Sequence, residues 1–136
     1  MAKVLDLEVV TPERVMLREK INSLNVPATE GSMGILYNHA PIISGLLPGI
    51  IKYNCPEKQS QIIVIGGGFL EVSNNKVTVL VDSAERPEEI DIERAKAAKG
   101  RAEKRIKEKT PGIDEIRAEM ALQRALARLR VTSLEQ

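Results

Sequence analysis

The stretch "VTVLVDSAERPEEIDIERAKAAKGR", residues 77–101, changes its period in the middle. Before Pro87, Val77, Val79 and Val81 alternate with Thr78, Leu80 and Asp82, which is the period of two expected of a half-buried strand. After Pro87 the β-branched residues almost vanish, and Ala, Lys, Glu and Arg replace them, a helix composition. Ala95, Ala98, Ala102 and Ile106 then recur at spacings of three and four, a narrow stripe of small residues. A β unit, residues 1–86, therefore gives way to a helical unit, residues 87–136.

Working towards the N-terminus, "FLEVSNN" precedes the Val77 strand, and Asn74-Asn75 reads as a tight hairpin turn because Asn tolerates positive φ. "QIIVIGGG" is a continuous apolar, β-branched run, the pattern of a strand buried on both faces. "VLDLEVVT" and "RVMLREKINSLNV" supply further strands, with Gly and Pro between them. Many short strands without an intervening helical pattern point to an antiparallel sandwich or barrel. Gly66 to Gly68 follow a strand, but no Gly-Lys-Ser/Thr comes next and the following element is again a strand. A bulge or sharp bend fits these glycines better than a phosphate loop.

Towards the C-terminus, "TPG", Thr110 to Gly112, breaks the helical pattern, since Pro cannot continue a helix and Gly readily reverses the chain. A second helix follows, with Ala118, Leu122, Leu126 and Leu129 on one face. Two helices joined by so few residues lie antiparallel. The expected fold is thus an all-β N-terminal sandwich followed by a C-terminal antiparallel αα-hairpin, α+β overall.

Composition excludes several function classes. A net charge of +1 and 2% aromatic residues, with no Trp, leave neither a nucleic-acid grip nor base-stacking platforms. No apolar run approaches the roughly 18 residues needed to cross a bilayer, and no charged-then-apolar leader opens the chain, so direct membrane insertion is not expected. The single cysteine, Cys55, cannot form an internal disulfide, which suits a reducing compartment and a core or loop role. His39 is the only histidine, and no nucleophile, acidic orienter or second metal ligand accompanies it. No catalytic residue and no metal site are expected. The charge is uneven, however: residues 94–132 hold twelve Lys and Arg against five Asp and Glu. That segment could meet an acidic partner.

At 100° per residue, Asp91, Arg94, Ala98 and Arg101 fall on one side of the first helix, and Arg117, Arg124 and Arg128 share one face of the second. Folded antiparallel, the two faces could converge, and convergent guanidiniums suit phosphate because each donates two parallel charge-assisted hydrogen bonds. On spacing alone a plainer account fits better: Asp91 caps the helix and pairs with Arg94, while the other arginines are solvated, each contact worth roughly 0.3–1 kcal/mol. The residue types do not settle the matter.

Several segments together carry a resemblance over nearly the whole chain. "VVTPERV", "EGSMGILYNHAPIISGLLPG" (Glu30 to Gly49), "GGGFLEVSNNKVTVLVDSAER" (Gly66 to Arg86) and the two-helix tail resemble, in order and spacing, the epsilon subunits of bacterial rotary F-type ATP synthases. The resemblance implies a non-catalytic subunit whose N-terminal domain docks on the gamma subunit and the c-ring, helping to couple proton flow to rotation. "SMGILYNHAPI", Ser32 to Ile42, is similar to the family's rotor-facing region, which gives His39 an interface reading. Tyr37 stands there where the family often has Pro.

The same resemblance makes the hairpin a regulatory arm. Folded, it lies on the sandwich; extended, its basic residues meet acidic loops of the alpha/beta catalytic ring and impede ATP hydrolysis. Some bacterial members bind ATP on the folded hairpin through an "I/L-D-x-x-R-A" motif, present here as Ile90, Asp91, Arg94 and Ala95. Glu85, Arg101, Arg124 and Arg128 match further family positions. By resemblance Glu85, Ile90 and Asp91 lie near adenine and the arginines hold phosphate. ATP would be a regulatory ligand rather than a substrate, no cofactor is required, and Mg²⁺ is left open. The alternative keeps the subunit but has the hairpin inhibit through basic contacts without ATP control. Either way the implied location is the cytoplasmic face of the bacterial membrane, peripheral to it. Gly100 lies within the first helix at a cost of about 1 kcal/mol relative to Ala, which would loosen the helix beside Arg101.

Overall fold

The computed structural model describes residues 3–108 and 114–134. Ten strands come first: β1 (Leu5–Val10), β2 (Val15–Ile21), β3 (Ser23–Ala28), β4 (Gly31–Leu36), β5 (Ile42–Leu46), β6 (Gly49–Asn54), β7 (Gln61–Ile65), β8 (Gly68–Ser73), β9 (Lys76–Val81) and β10 (Ala84–Glu85). A single 3₁₀ turn, Pro87–Glu89, leads into α1 (Ile92–Glu108) and α2 (Glu115–Leu134). The expected sandwich-plus-hairpin is what the chain forms. The helix break expected at Thr110 to Gly112 lies outside the described residues.

Hydrogen bonds run along one folded sheet in the order β10-β7-β6-β3-β5-β8-β9-β1-β2, with β4 paired to β3. β3 meets β5 through the single pair Ala28↔Leu46, and there the sheet folds over on itself. Between the halves lies a core to which alternate residues contribute, including Leu5, Leu7 and Val9 of β1, Val77, Val79 and Val81 of β9, and Ile63 and Ile65 of β7. One pairing departs from the antiparallel expectation. β1 runs parallel to β9, from Asp6↔Lys76 to Val10↔Leu80. No short connection joins these two strands, so nothing obliges them to be antiparallel.

The triple glycine is the corner between layers, since β7 pairs with β6 and β10 whereas β8 pairs with β5 and β9. Gly67 and Gly68 have φ of 110° and 155°, and a Cβ on Gly68 would run into the Leu80 carbonyl oxygen. Asn74 and Asn75, at φ 50° and 60°, form the expected two-residue turn. Asn75 also reaches sideways: its Oδ1 accepts from the Asn38 backbone N–H at 2.6 Å, tying the β8–β9 turn to the turn that carries His39.

β7 is buried on both faces, as its composition requires. Ile63 and Ile65 point into the sandwich, while Val64 on the opposite face packs with Ala127 and Val131 of α2, flanked by Ile50, Ile62 and Ile90. Val64 and Val131, the buried branched side chains of this outer cluster, contribute roughly 1.5–3 kcal/mol each, so the cluster seats the hairpin on the sandwich. Apart from Val131, the buried positions of the helices are alanines: Ala95 and Ala102 on α1, Ala118, Ala125 and Ala127 on α2. The expected face of α2 is covered only in part: Ala118 is buried, Leu122 and Leu129 are half-buried, and Leu126 is 43% exposed. α2 is covered on two sides, by α1 and by β6–β7, and a single helical stripe does not describe a helix with two contact faces.

Two glycines give opposite predictions. Gly68→Ala should cost more than about 2 kcal/mol in urea denaturation, because backbone atoms of β9 occupy the space of its Cβ. Gly100→Ala should stabilise by about 1 kcal/mol, since nothing lies within 4 Å of the added carbon and the site is a helix interior. A further prediction concerns alkaline pH. Burial pushes the Tyr53 phenol above its ordinary value of 10.0, opposed in part by the Arg86 guanidinium; burial also pushes up the Cys55 thiol, and the Glu19 carboxylate adds to that shift. The folded chain thus holds both protons more tightly than the unfolded chain, a stabilisation complete below about pH 9 and lost as pH rises through the folded values. The urea midpoint should fall above that pH, and fall less steeply in Tyr53→Phe.

Candidate functional site: an arginine-lined cleft beneath the hairpin

The entry to α1 is built by its own sequence. Asp91 precedes the first helical residue, and its Oδ1 accepts the Arg94 backbone N–H at 3.1 Å, so the carboxylate satisfies one of the helix's unpaired donors and offsets its dipole. Asp114 does the same for α2, accepting from the Arg117 N–H at 3.1 Å. The Asp91 cap therefore forms as expected, but through the backbone of Arg94. No side-chain ion pair joins Asp91 to Arg94 among the described residues. The Arg94 guanidinium is left for other use.

Between β10, the 3₁₀ turn and the two helices opens a cleft of about 440 Å³. Its walls bring together Glu85, Asp91, Arg94, Ala95, Arg101, Arg124 and Arg128, seven of the eight expected residues, from β10, the cap before α1, and the two helices. Ile90 is not among them. It packs instead against the cluster around Val64, because the chain turns at Ile90 from the sandwich surface into the Asp91 cap. Arg117 also stays outside; seven residues before Arg124, it stands roughly 10 Å nearer the start of α2. The sequence reading missed Glu89 and Ala121, which also line the cleft. Alanines at positions 95, 98 and 121 form its floor, leaving room for the long side chains above.

Four guanidiniums face three carboxylates, and the carboxylates are largely engaged. Glu85 Oε1 accepts from Arg128 Nε at 2.6 Å, with both side chains mostly buried. Glu89 Oε1 accepts the Arg86 backbone N–H at 3.1 Å, and its Oε2 lies 3.9 Å from Arg14 Nη2. Asp91 is occupied as the cap. Arg94, Arg101 and Arg124 make no ion pair among the described residues. Three guanidiniums without an ion-pair partner among the described residues thus line the wall of one cleft, a grouping whose chemistry suits a multiply charged anion. Among the described residues no group of three or more His, Cys, Asp or Glu is arranged to hold a metal ion.

A second surface is apolar. On the outer face of the β5-β8-β9-β1-β2 half, Gly45, Phe69, Leu80, Val10 and Val15 are register partners in one row across five strands. Phe69 is 63% exposed and Leu80 and Val15 are also exposed. His39 sits on an exposed turn with Nδ1 2.7 Å from the Ala40 carbonyl oxygen, far in sequence from the cleft and not part of it.

These features define a β-sandwich protein carrying a two-helix arm, and comparison with known proteins gives the family. The beta-sandwich domain of the ATP synthase delta/epsilon chain matches residues 4–87, and the long alpha-helix domain of the same chain matches residues 88–133. The chain is 49% identical over 131 residues to the ATP synthase epsilon chain of Nitratidesulfovibrio vulgaris, covering 96% of this chain and 97% of that one. It is 45% identical over 126 residues to that of Moorella thermoacetica, with 93% and 94% covered. Among solved structures, it is similar to a chain of the Euglena gracilis mitochondrial ATP synthase, with a TM-score of 0.80 and 25% identity over 98% of this chain and 83% of that one. A chain of the Tetrahymena thermophila central stalk and c-ring shares the fold at 16% identity, TM-score 0.58, over 98% of this chain and 96% of that one. The chain belongs to the ATP synthase delta/epsilon family as an epsilon chain of the bacterial F-type enzyme, a non-catalytic subunit of its central stalk.

The cap can be tested apart from any ligand. Asp91→Ala should lower stability by about 1 kcal/mol and fray the start of α1, read as faster amide exchange at residues 92–95 with α2 unaffected.

Proposed function

We propose that residues 87–136 are a regulatory arm whose folded state binds ATP as an effector, and that residues 1–86 dock the subunit on gamma and the c-ring. The observation that carries the nucleotide reading is the set of three unpaired guanidiniums, Arg94, Arg101 and Arg124, in a cleft whose volume lies within the range of small-ligand sites. ATP supplies the phosphate charge that would relieve their mutual repulsion, and Glu85 and the Asp91 end of the cleft offer acceptors for an adenine amino group. The carboxylates of the cleft are engaged at the turn, the helix cap and the Arg128 ion pair, and in this reading bound ATP is held and released unchanged. ATP that binds only the folded arm stabilises it by roughly 2.7 kcal/mol at a hundredfold excess over Kd, enough to move a modest conformational equilibrium.

The extended arm presents its surplus of Lys and Arg to acidic loops of the alpha/beta ring and slows ATP hydrolysis. The apolar row through Phe69 and Leu80 supports docking on gamma, since a continuous apolar stripe of this kind is normally covered. The His39 turn is assigned to the c-ring side. The subunit then works at the cytoplasmic face of the bacterial membrane without entering it; no helix among the described residues is long and apolar enough to span a bilayer.

Calorimetric titration of the full chain with ATP, with and without Mg²⁺, tests the reading. Binding should be saturable, and Arg94→Ala or Arg124→Ala should each weaken it at least about tenfold. Arg94→Ala leaves the helix cap intact, because the cap uses the backbone at that position. Equal heats for all three proteins would overturn nucleotide control and leave the basic residues as inhibitory contacts of the extended arm.

A further inference from the structure

Glu85 is the last residue of β10, the final strand of the sandwich. It sits in β10 opposite Val64 of β7. Val64 is also the residue on which Ala127 packs, and Ala127 adjoins Arg128, whose Nε donates to Glu85 at 2.6 Å. Two consecutive residues of α2 thus grip one spot on the sandwich, the first by apolar contact and the second by an ion pair. The pair spans 43 residues and joins the two units directly. The side chains of Arg128 and Glu85 are 27% and 29% exposed, so the bond is less screened than the surface pairs elsewhere, such as Lys20–Asp6.

We propose that Glu85 and Arg128 form a latch that holds the arm folded without any ligand, and that Arg94, Arg101 and Arg124 alone form the anion-binding set. Arg128 is then a positioning residue. Its guanidinium is already neutralised by a carboxylate, whereas the other three have no such partner among the described residues. Leaving the sandwich requires α2 to break the ion pair and uncover Val64 in the same movement. The two events are coupled because they occupy adjacent residues on both sides of the contact. The latch itself stands independently of the nucleotide reading; the division of labour among the arginines rests on it.

Two measurements on the full chain test the parts separately. Amide exchange of α2 without nucleotide should accelerate about tenfold in Glu85→Gln and in Arg128→Gln, and the double variant should be no faster than either single. Additive acceleration, or none, would overturn the latch. Titration with inorganic triphosphate, which has no base for Glu85 to contact, should then show both single variants weakened to the same extent, because each acts only through the folded population. If Arg128 held phosphate directly, Arg128→Gln would weaken binding far more, while Glu85→Gln, having lost a nearby negative charge, would strengthen it. Absence of triphosphate binding by the unaltered chain would remove the anion-binding set and leave the exchange result to decide the latch.

Discussion

The structure turns on one strand that is apolar on both faces. β7 gives Ile63 and Ile65 to the sandwich interior and Val64 to the underside of α2. Neither the sheet nor the arm could bury its share of surface here without the other. An ordinary antiparallel sheet would present polar residues on its outer face, and the arm would then have only charges to rest on. Because Val64 is also the register partner of Glu85, the apolar seat and the start of the cleft are fixed by the same two strands.

The cleft is governed by a contrast in side-chain length. Alanines at the helix contacts bring the two helices close, and from that narrow floor the arginines project long enough to meet over the same space. Close helices with large side chains at the contact would have pushed the guanidiniums apart. The carboxylates divide their work: Asp91 and Glu89 accept backbone N–H groups at the two tight turns, and only Glu85 is matched to a cation inside the cleft. The local charge balance consequently favours an anion even though the chain as a whole is nearly neutral.

Much of this was readable because it is local. The Val77, Val79, Val81 alternation, the Asn74-Asn75 turn and the Asp91 cap each depend on residues a few positions apart, and each forms as its residues dictate. The convergence of Arg94 and Arg101 with Arg124 and Arg128 followed from helical spacing and resemblance taken together. What escaped depends on distant partners. Nothing near Glu85 announces Arg128, nothing in β1 announces its parallel alignment with β9, and Ile90 follows the pull of Val64 rather than the motif it belongs to. The exposure of Leu126 went unread for a related reason: periodicity reveals one apolar face, while α2 is covered on two.

The parallel pairing of β1 with β9 also sets an order of assembly. Asp6 finds Lys76 seventy positions later, so during synthesis β1 has only β2 beside it until β9 has emerged. Closing so distant a pair carries a loop-entropy cost that nearby hairpins avoid, and it slows the final step. The sandwich is completed late, yet β10 and the arm are the next elements in line. Newly made chains therefore complete the sandwich and gain the arm at almost the same moment, which shortens the interval in which the apolar side of β7 stands uncovered.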